Sequence, residues 1–130
     1  GVPVTGMGWE IAPDVLCQDL LGLKDRYGPI ALYITENGYG AEAPERRAPD
    51  ASDPARIDYL RAYLAAAAEA IAKGVDLRGY FVWSLLDNFE WAEGFSKRFG
   101  IIHVDYDSLA RTPKPSYRWY REVIAANALG

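Results

Sequence analysis

Residues 79–100 read GYFVWSLLDNFEWAEGFSKRFG, and this stretch decides how the rest of the sequence is interpreted. The segment from Leu77 to Leu86 is a nearly unbroken apolar run, which is typical of a β-strand that is buried on both faces. The second half has no helical or strand period, because acidic, aromatic and glycine residues alternate there. The stretch contains all four phenylalanines of the chain and two of its four tryptophans, Trp83 and Trp91. We therefore expect a buried strand followed by an aromatic-rich loop.

Two glutamates, Glu90 and Glu93, lie among these aromatic residues. In a sugar-binding pocket, aromatic rings cover the apolar face of a pyranose while carboxylates accept hydrogen bonds from its hydroxyl groups. The alternative is that the loop only packs against the core. Residue types alone leave both interpretations open.

The composition excludes several classes of function. The chain has 130 residues and a net charge of −4, which argues against nucleic acid or an anionic membrane as a partner. Its single cysteine, Cys17, cannot form an internal disulfide, and the sequence has no signal-peptide pattern, so we expect a cytoplasmic protein. The only histidine, His103, has no second His or Cys nearby and is more typical of a structural residue than of a metal ligand.

The residue pattern predicts helices and strands that alternate along the chain, which implies parallel strands joined by crossovers. The predicted segments are a helix from Pro13 to Gly28, a strand from Ile30 to Thr35, a surface loop from Tyr39 to Asp53, a helix from Pro54 to Gly74, the strand within Leu77–Leu86, a short β segment from Ile101 to Asp105 and a helix from Ser116 to Ala128. Helical spacing places Leu23, Tyr27, Ile71 and Ile124 on buried faces. Asp53 is expected to be the N-cap of the second helix.

Three motifs occur together in the sequence: GWEIAP at Gly8–Pro13, ITENG at Ile34–Gly38, and VWSLLDNFEW at Val82–Trp91, which AEGFSKRFG follows. In this order and spacing they resemble the C-terminal portion of family 1 glycoside hydrolases, the β-glucosidase family, which hydrolyse β-glycosidic bonds with retention. The resemblance implies an α/β fold that is the C-terminal part of a (β/α)₈ TIM barrel. Residues 1–130 would then be a single partial domain, formed by the last two βα units and the helix before them.

The resemblance also implies roles for five residues. Glu36 in ITENG matches the catalytic nucleophile, which attacks the anomeric carbon to form a glycosyl-enzyme. Trp83 matches the ring that stacks under the sugar. Glu90 and Trp91 match residues that hydrogen-bond the hydroxyl groups of the glycone, and Phe99 matches a further aromatic residue of the pocket. No metal and no cofactor are implied.

Two further expectations concern the backbone at the site and the remaining aromatic and acidic residues of the motifs. Similar enzymes have a cis peptide bond at the position of Trp83–Ser84, and we expect the same here. Trp9, Glu10 and Trp119 are interpreted as framework and not as site residues.

The residue type at Glu90 bears on the glycone. A sister group in the family that hydrolyses 6-phosphoglycosides typically carries a serine there, whereas a carboxylate would repel a phosphate dianion. We therefore expect an uncharged β-glycoside as the substrate. Glucose, galactose and fucose are not distinguished.

One part of the chemistry is absent from the sequence. A retaining β-glycosidase needs a second carboxylate, the general acid/base, about 5.5 Å from the nucleophile. The family supplies it from an upstream Asn-Glu-Pro motif, which does not occur here. The isolated chain is therefore expected to be inactive and to need the missing N-terminal barrel segment as a partner. Three hypotheses are open: a fragment of a retaining β-glycosidase, one chain of a split enzyme, or a non-catalytic carbohydrate-binding relic.

Overall fold

A computed structural model describes residues 1–42 and 53–129 as a partial α/β fold. Its helices are α1 (Pro13–Tyr27), α2 (Pro54–Ala72) and α3 (Pro115–Ala126), and its strands are β1 (Leu32–Asn37), β2 (Ala41–Glu42), β3 (Leu77–Val82), β4 (Lys97–Arg98), β5 (Ile102–Val104) and β6 (Arg111–Pro113). The loop predicted for Tyr39–Asp53 contains β2, and its residues 43–52 lie outside the described residues. No helix in the described ranges is both long enough and apolar enough to cross a membrane.

The predicted pair of parallel strands is present. β1 and β3 are adjacent and parallel, with Leu32 opposite Leu77 and Ile34 opposite Tyr80. The strands β2 and β4 form an antiparallel pair, as do β5 and β6. Each of these three sheets has two strands among the described residues, so this part of the chain does not close into a barrel.

The prediction that the strand at Leu77–Leu86 is buried on both faces is wrong. β3 ends at Val82, and its side chains alternate between a covered face and an open face. Phe81 on β3 is 58% exposed, and Tyr33 on β1 is 55% exposed. Ile34, by contrast, packs against the core between the strands and the helices. The reason is that helices cover only one face of the two strands in the described part of the chain.

Two apolar clusters form the core between the sheet and the helices. The first contains Cys17, Leu20, Ala66, Ala70 and Val75. The small alanine side chains of α2 in this cluster contact Cys17 and Leu20 of α1. The second cluster contains Tyr59, Leu60, Tyr63 and Ile101, and Trp119 packs against it as expected of a framework residue.

Four apolar residues that were predicted to be buried are exposed. Leu23 and Tyr27 on α1 are 39% and 56% exposed, because the buried stripe of α1 runs through Cys17 and Leu20. Ile71 on α2 and Ile124 on α3 are 49% and 62% exposed. Both line an open groove between α2, β3 and α3, which nothing in the described residues covers.

Asp53 is the N-cap residue of α2, as predicted, but its side chain makes no capping hydrogen bond to that helix. Its buried carboxylate accepts hydrogen bonds from Arg56 Nη1 at 2.5 Å and from the backbone N–H of Ser116 at 3.0 Å. The hydroxyl of Ser116 donates a further bond of 2.5 Å. Ser116 lies in the first turn of α3, where backbone N–H groups have no partner within the helix. The carboxylate that begins one helix therefore caps the next one.

Candidate active site

An open cleft of about 410 Å³ lies where β1 and β3 end. Parallel strands bring their carboxyl ends to the same edge of a sheet, and this edge is where α/β barrels place their chemistry. The residues that line the cleft are Trp9, Glu36, Asn37, Gly38, Tyr59, Trp83, Glu90, Trp91 and Phe99. All five site residues predicted from the sequence are among them.

Glu36 lies within β1, as its next-to-last residue, and not beyond the strand as the sequence suggested. Its neighbour Asn37 is held by two elements. The phenol of Tyr80 on β3 donates to Asn37 Oδ1 at 2.5 Å, and Asn37 Nδ2 donates to the phenol oxygen of Tyr59 on α2 at 3.2 Å. Burial raises the pKa of Tyr59 and that of Tyr80, so both phenols stay neutral at ordinary pH. The end of the strand that carries Glu36 is therefore fixed by neutral groups.

The backbone of the ITENG turn touches that of Trp83. A Cβ atom on Gly38 would lie 1.6 Å from the carbonyl oxygen of Trp83, so this close approach requires glycine. The N–H of Trp83 also donates to the carbonyl of Asn37 at 2.9 Å. The Trp83–Ser84 peptide bond is cis, as predicted.

Trp83 and Glu90 form a direct polar contact across the cleft. The indole Nε1 of Trp83 donates to Glu90 Oε2 over 3.4 Å. The ring that begins the loop and the carboxylate in its middle are thereby held in one arrangement.

Trp91 stands at the open side of the cleft. Trp91 is 81% exposed. Its backbone φ angle is 44°, in the left-handed region that non-glycine residues rarely adopt. The turn around it is closed by the N–H of Glu90, which donates to the carbonyl of Gly94 at 2.7 Å. Such a conformation costs of the order of 1–3 kcal/mol and is typical of functional positions.

Phe99 closes the opposite side and is only 3% exposed. Trp9 lies against it with ring centroids 6.1 Å apart, and Trp9 itself is 55% exposed in the cleft. Trp9 was predicted to be a framework residue away from the site, but it lines the cleft. Tyr59 was also missed, since its helical spacing on α2 predicts burial and carries no signal for the cleft.

Glu93 is not among the residues that line the cleft. Its backbone carbonyl accepts a hydrogen bond of 2.7 Å from the hydroxyl of Ser96. His103 is buried on β5, with its Nδ1 3.6 Å from Asp87 Oδ2, and it too lies outside the cleft lining. Within residues 1–42 and 53–129, no three His, Cys, Asp or Glu side chains are grouped as ligands of a metal ion would be.

A cleft of carboxylates and indole rings at the ends of parallel strands is typical of carbohydrate sites in α/β barrels. Residues 1–129 match the sequence profile of Glycosyl hydrolase family 1, and the chain belongs to this family.

Similar proteins agree with this membership. The 1,4-beta-D-glucan glucohydrolase of Thermotoga neapolitana is 52% identical over 128 residues, which are 98% of this chain and 29% of that protein. The solved β-glucosidase of Thermotoga maritima in complex with deoxynojirimycin superposes with a TM-score of 0.93 at 48% identity, covering 100% of this chain and 30% of that one. A protein of Oryza sativa subsp. japonica named probable inactive beta-glucosidase 14 is 51% identical over 108 residues, which are 82% of this chain and 21% of that protein.

The solved family 1 β-glucosidases are TIM barrels, and this chain spans about 30% of their length. The partial α/β fold of the described residues agrees with that share. One of these relatives is named as a glucohydrolase and another as a probable inactive β-glucosidase. Membership of the family therefore does not by itself decide whether a protein is catalytically active.

Proposed function

We propose that this chain is the C-terminal part of a retaining β-glycosidase of the β-glucosidase type and that it carries the nucleophile, Glu36. The observation that supports this most is the convergence of Glu36, Trp83, Glu90 and Trp91 on one cleft at the ends of β1 and β3. The chain then supplies the last two βα units of the barrel together with α1, the helix before them.

In the proposed reaction, the carboxylate of Glu36 attacks the anomeric carbon, and the bond from that carbon to the leaving oxygen breaks. A covalent glycosyl-enzyme results, and water then displaces Glu36 to give the sugar with its original configuration. The proton for the leaving oxygen comes from a second carboxyl group about 5.5 Å away, which the N-terminal part of the barrel supplies. The same group takes a proton back from the attacking water in the second step.

The loop residues bind the sugar in this proposal. Trp83 offers its ring to the apolar face of the pyranose. Glu90 uses Oε2 to accept from the Trp83 indole, which leaves Oε1 for a hydroxyl group of the glycone. Trp91 and Phe99 complete the aromatic wall. A carboxylate at Glu90 disfavours a phosphorylated sugar, so the substrate is an uncharged β-glycoside.

The same features explain why a partner segment is needed. β1 and β3 are paired only with each other among the described residues, and Tyr33 and Phe81 present an open aromatic face. Strand edges and apolar faces of this kind are covered in a closed barrel. Whether the missing strands belong to the same polypeptide or to a second chain separates a fragment from a split enzyme.

A non-catalytic relic is the second candidate. The observation that favours it is the 51% identity with a relative named as probably inactive. The full set of Glu36, Trp83, Glu90 and Trp91 in one cleft favours an enzyme instead.

The test uses a hybrid barrel, in which this chain replaces the 30% of the Thermotoga maritima β-glucosidase with which it superposes. We expect the hybrid barrel to hydrolyse an aryl β-glucoside, and Glu36→Gln to lower kcat by more than about 10³-fold, since binding alone leaves little catalysis. Glu69→Gln, on the exposed face of α2, is the matched control and keeps full activity. Sugar binding without turnover in the parent hybrid would establish the relic.

Two further preparations separate the remaining hypotheses. The N-terminal part of the relative and this chain are produced as separate polypeptides and mixed. Activity after mixing shows that the chain can serve as one subunit of a split enzyme, whereas activity only in the fused form supports a fragment.

A further inference from the structure

Asp87 lies three residues before Glu90, and its side chain is fully buried beneath the loop that carries Glu90 and Trp91. Its Oδ1 accepts from the backbone N–H of Gly100 at 3.0 Å and from Lys114 Nζ at 3.2 Å. Its Oδ2 accepts from Arg98 Nη1 at 2.6 Å and from the backbone N–H of Val104 at 3.3 Å. The proposed reaction makes no use of this carboxylate.

These contacts join the two ends of the loop at residues 84–100. The backbone N–H of Ser84 donates to the carbonyl of Phe99 at 3.1 Å, and that of Ile101 donates to the carbonyl of Ser84 at 2.9 Å. Asp87 adds the bond from Gly100, where a Cβ atom would lie 2.1 Å from the Asp87 nitrogen. One carboxylate thus connects the strand side of the loop with its return.

The Arg98 cation beside Asp87 lies within residues 84–100, whereas Lys114 lies outside the loop and ties it to the body of the fold. Arg98 on β4 also donates to the carbonyl of Val104 on β5 at 2.9 Å, and its guanidinium lies 4.4 Å from the ring centroid of Tyr106. Lys114 precedes α3 directly. Buried ion pairs add little to stability because desolvation offsets their attraction, so geometry is the better account of why such a cluster is present here.

Apolar packing holds the middle of this loop only in part. Phe89, Trp91 and Phe95 are 60%, 81% and 50% exposed. Phe95 contacts Phe89 and Tyr106, with ring centroids 5.4 Å and 4.6 Å apart. The buried polar contacts at the base of the loop therefore contribute to its position alongside this aromatic contact.

We propose that Asp87 is the positioning residue of the sugar-binding loop: by fixing both ends of residues 84–100, it aims Glu90 and Trp91 into the cleft. This inference rests on the proposed function, because it names the residue through which Glu90 meets the glycone.

The main experiment is a double-mutant cycle in the hybrid barrel, with binding of deoxynojirimycin measured by calorimetry. We expect Asp87→Asn to weaken binding by about tenfold or more, whereas on a Glu90→Gln background it should cost less than about threefold. If Asp87 acts through Glu90, both substitutions remove the same contribution to binding, so their effects on the binding free energy are not additive. Independent, additive losses in the cycle would overturn the proposal.

A second readout needs no ligand and therefore stands even if the hybrid barrel neither binds nor hydrolyses a sugar. Amide hydrogen exchange should accelerate in residues 88–96 of Asp87→Asn while the amides of α1 and β1 keep the parent rates. Uniform acceleration across the chain would show a general loss of stability and no positioning role. A parent hybrid that binds the sugar without turnover would reject the proposed function and leave this inference standing.

Two further variants serve as controls for the role of Asp87. Because Asp87→Asn leaves cations without their counter-charge, the charge-balanced pair Asp87→Asn with Lys114→Met is taken through the same cycle. If this pair also fails to fold, Asp87 belongs to the core and the proposal is wrong. Asp105→Asn is the matched control, because that carboxylate accepts from the N–H groups of Asp107 and Ser108 in the β5–β6 turn and should leave binding unchanged.

Discussion

The phenol of Tyr80 on β3 donates a 2.5 Å hydrogen bond to Oδ1 of Asn37, the residue that follows Glu36 on β1. The register of the two strands at the cleft is thereby held by a side-chain contact as well as by the backbone ladder. Because Asn37 also donates to Tyr59, the contact extends to α2.

The first prediction concerns this contact. Tyr80→Phe in the hybrid barrel should lower the free energy of unfolding by about 1–2 kcal/mol, because it leaves the Asn37 oxygen without that donor. Urea unfolding measures the change. Tyr27→Phe, at a position that is 56% exposed, is the control and should change the value by less than about 0.5 kcal/mol. Equal effects of the two substitutions would contradict the prediction.

Alkaline pH should destabilise the fold through the same phenols. Burial raises the pKa of Tyr59 and that of Tyr80, so the folded state keeps protons that the unfolded state loses above about pH 10. Their contribution is complete below that pH, and it falls by about 1.4 kcal/mol per pH unit for each phenol as pH rises further. Urea midpoints of the hybrid barrel at about pH 9 and pH 11 measure the loss. The double variant Tyr59→Phe with Tyr80→Phe should lose less over this interval, and an identical loss would refute the linkage.

Gly38→Ala should separate the ITENG turn from Trp83. The new methyl group would overlap the Trp83 carbonyl, which is backbone and cannot rotate away. We expect a destabilisation of about 3 kcal/mol or more and a loss of activity in the hybrid barrel. Gly22→Ala is the contrasting variant, because nothing lies within 4 Å of its new Cβ on α1, and it should stabilise by up to about 1 kcal/mol. Thermal unfolding of both variants decides the matter.

The role of Glu36 can be tested by trapping the intermediate. A 2-fluoro-glycoside should label the hybrid barrel, and peptide mapping by mass spectrometry should find the adduct on Glu36. Glu36→Gln should not be labelled within this chain. An adduct on Glu90 or Glu93 would reverse the assignment of roles.

The chain alone should not turn over glycosides. Protonation of the leaving group by a positioned acid contributes typically about 10²–10⁴-fold, and this chain lacks the matching acid. The unpaired edges of β1 and β3 should also make the isolated chain associate, which sedimentation can measure. Turnover of an aryl β-glucoside by a monomeric 130-residue chain, abolished by Glu36→Ala, would show that the fragment is self-sufficient.

The parallel strands could be predicted from local patterns, and the residues of the cleft from the resemblance of three motifs to family 1 glycoside hydrolases. Apolar runs end near Glu36 and Trp83, and parallel strands must bring such ends together. Trp9 escaped prediction because its place depends on tertiary contacts: its ring packs against Phe99, and the nearby N–H of Gly6 donates to the carbonyl of Gly40.

Burial was harder to predict than secondary structure. Helical spacing identifies the faces of α2 and α3 on which Ile71 and Ile124 lie, but it does not show whether another element covers them. Asp53 illustrates the same limit for polar groups. Its position before Pro54 correctly predicts the N-cap residue of α2, but it does not show that the carboxylate accepts hydrogen bonds from Arg56 and the distant Ser116.

The shared carboxylate of Asp53 also has a consequence for synthesis on the ribosome. Its ion pair with Arg56 lies within one helical turn and can form as soon as that turn emerges. Its bonds to Ser116 join residues 63 positions apart, which a ribosome adding about 5–20 residues per second needs roughly 3–13 s to span. During that interval the Asp53 carboxylate at the start of α2 lacks its hydrogen bonds to Ser116 of α3.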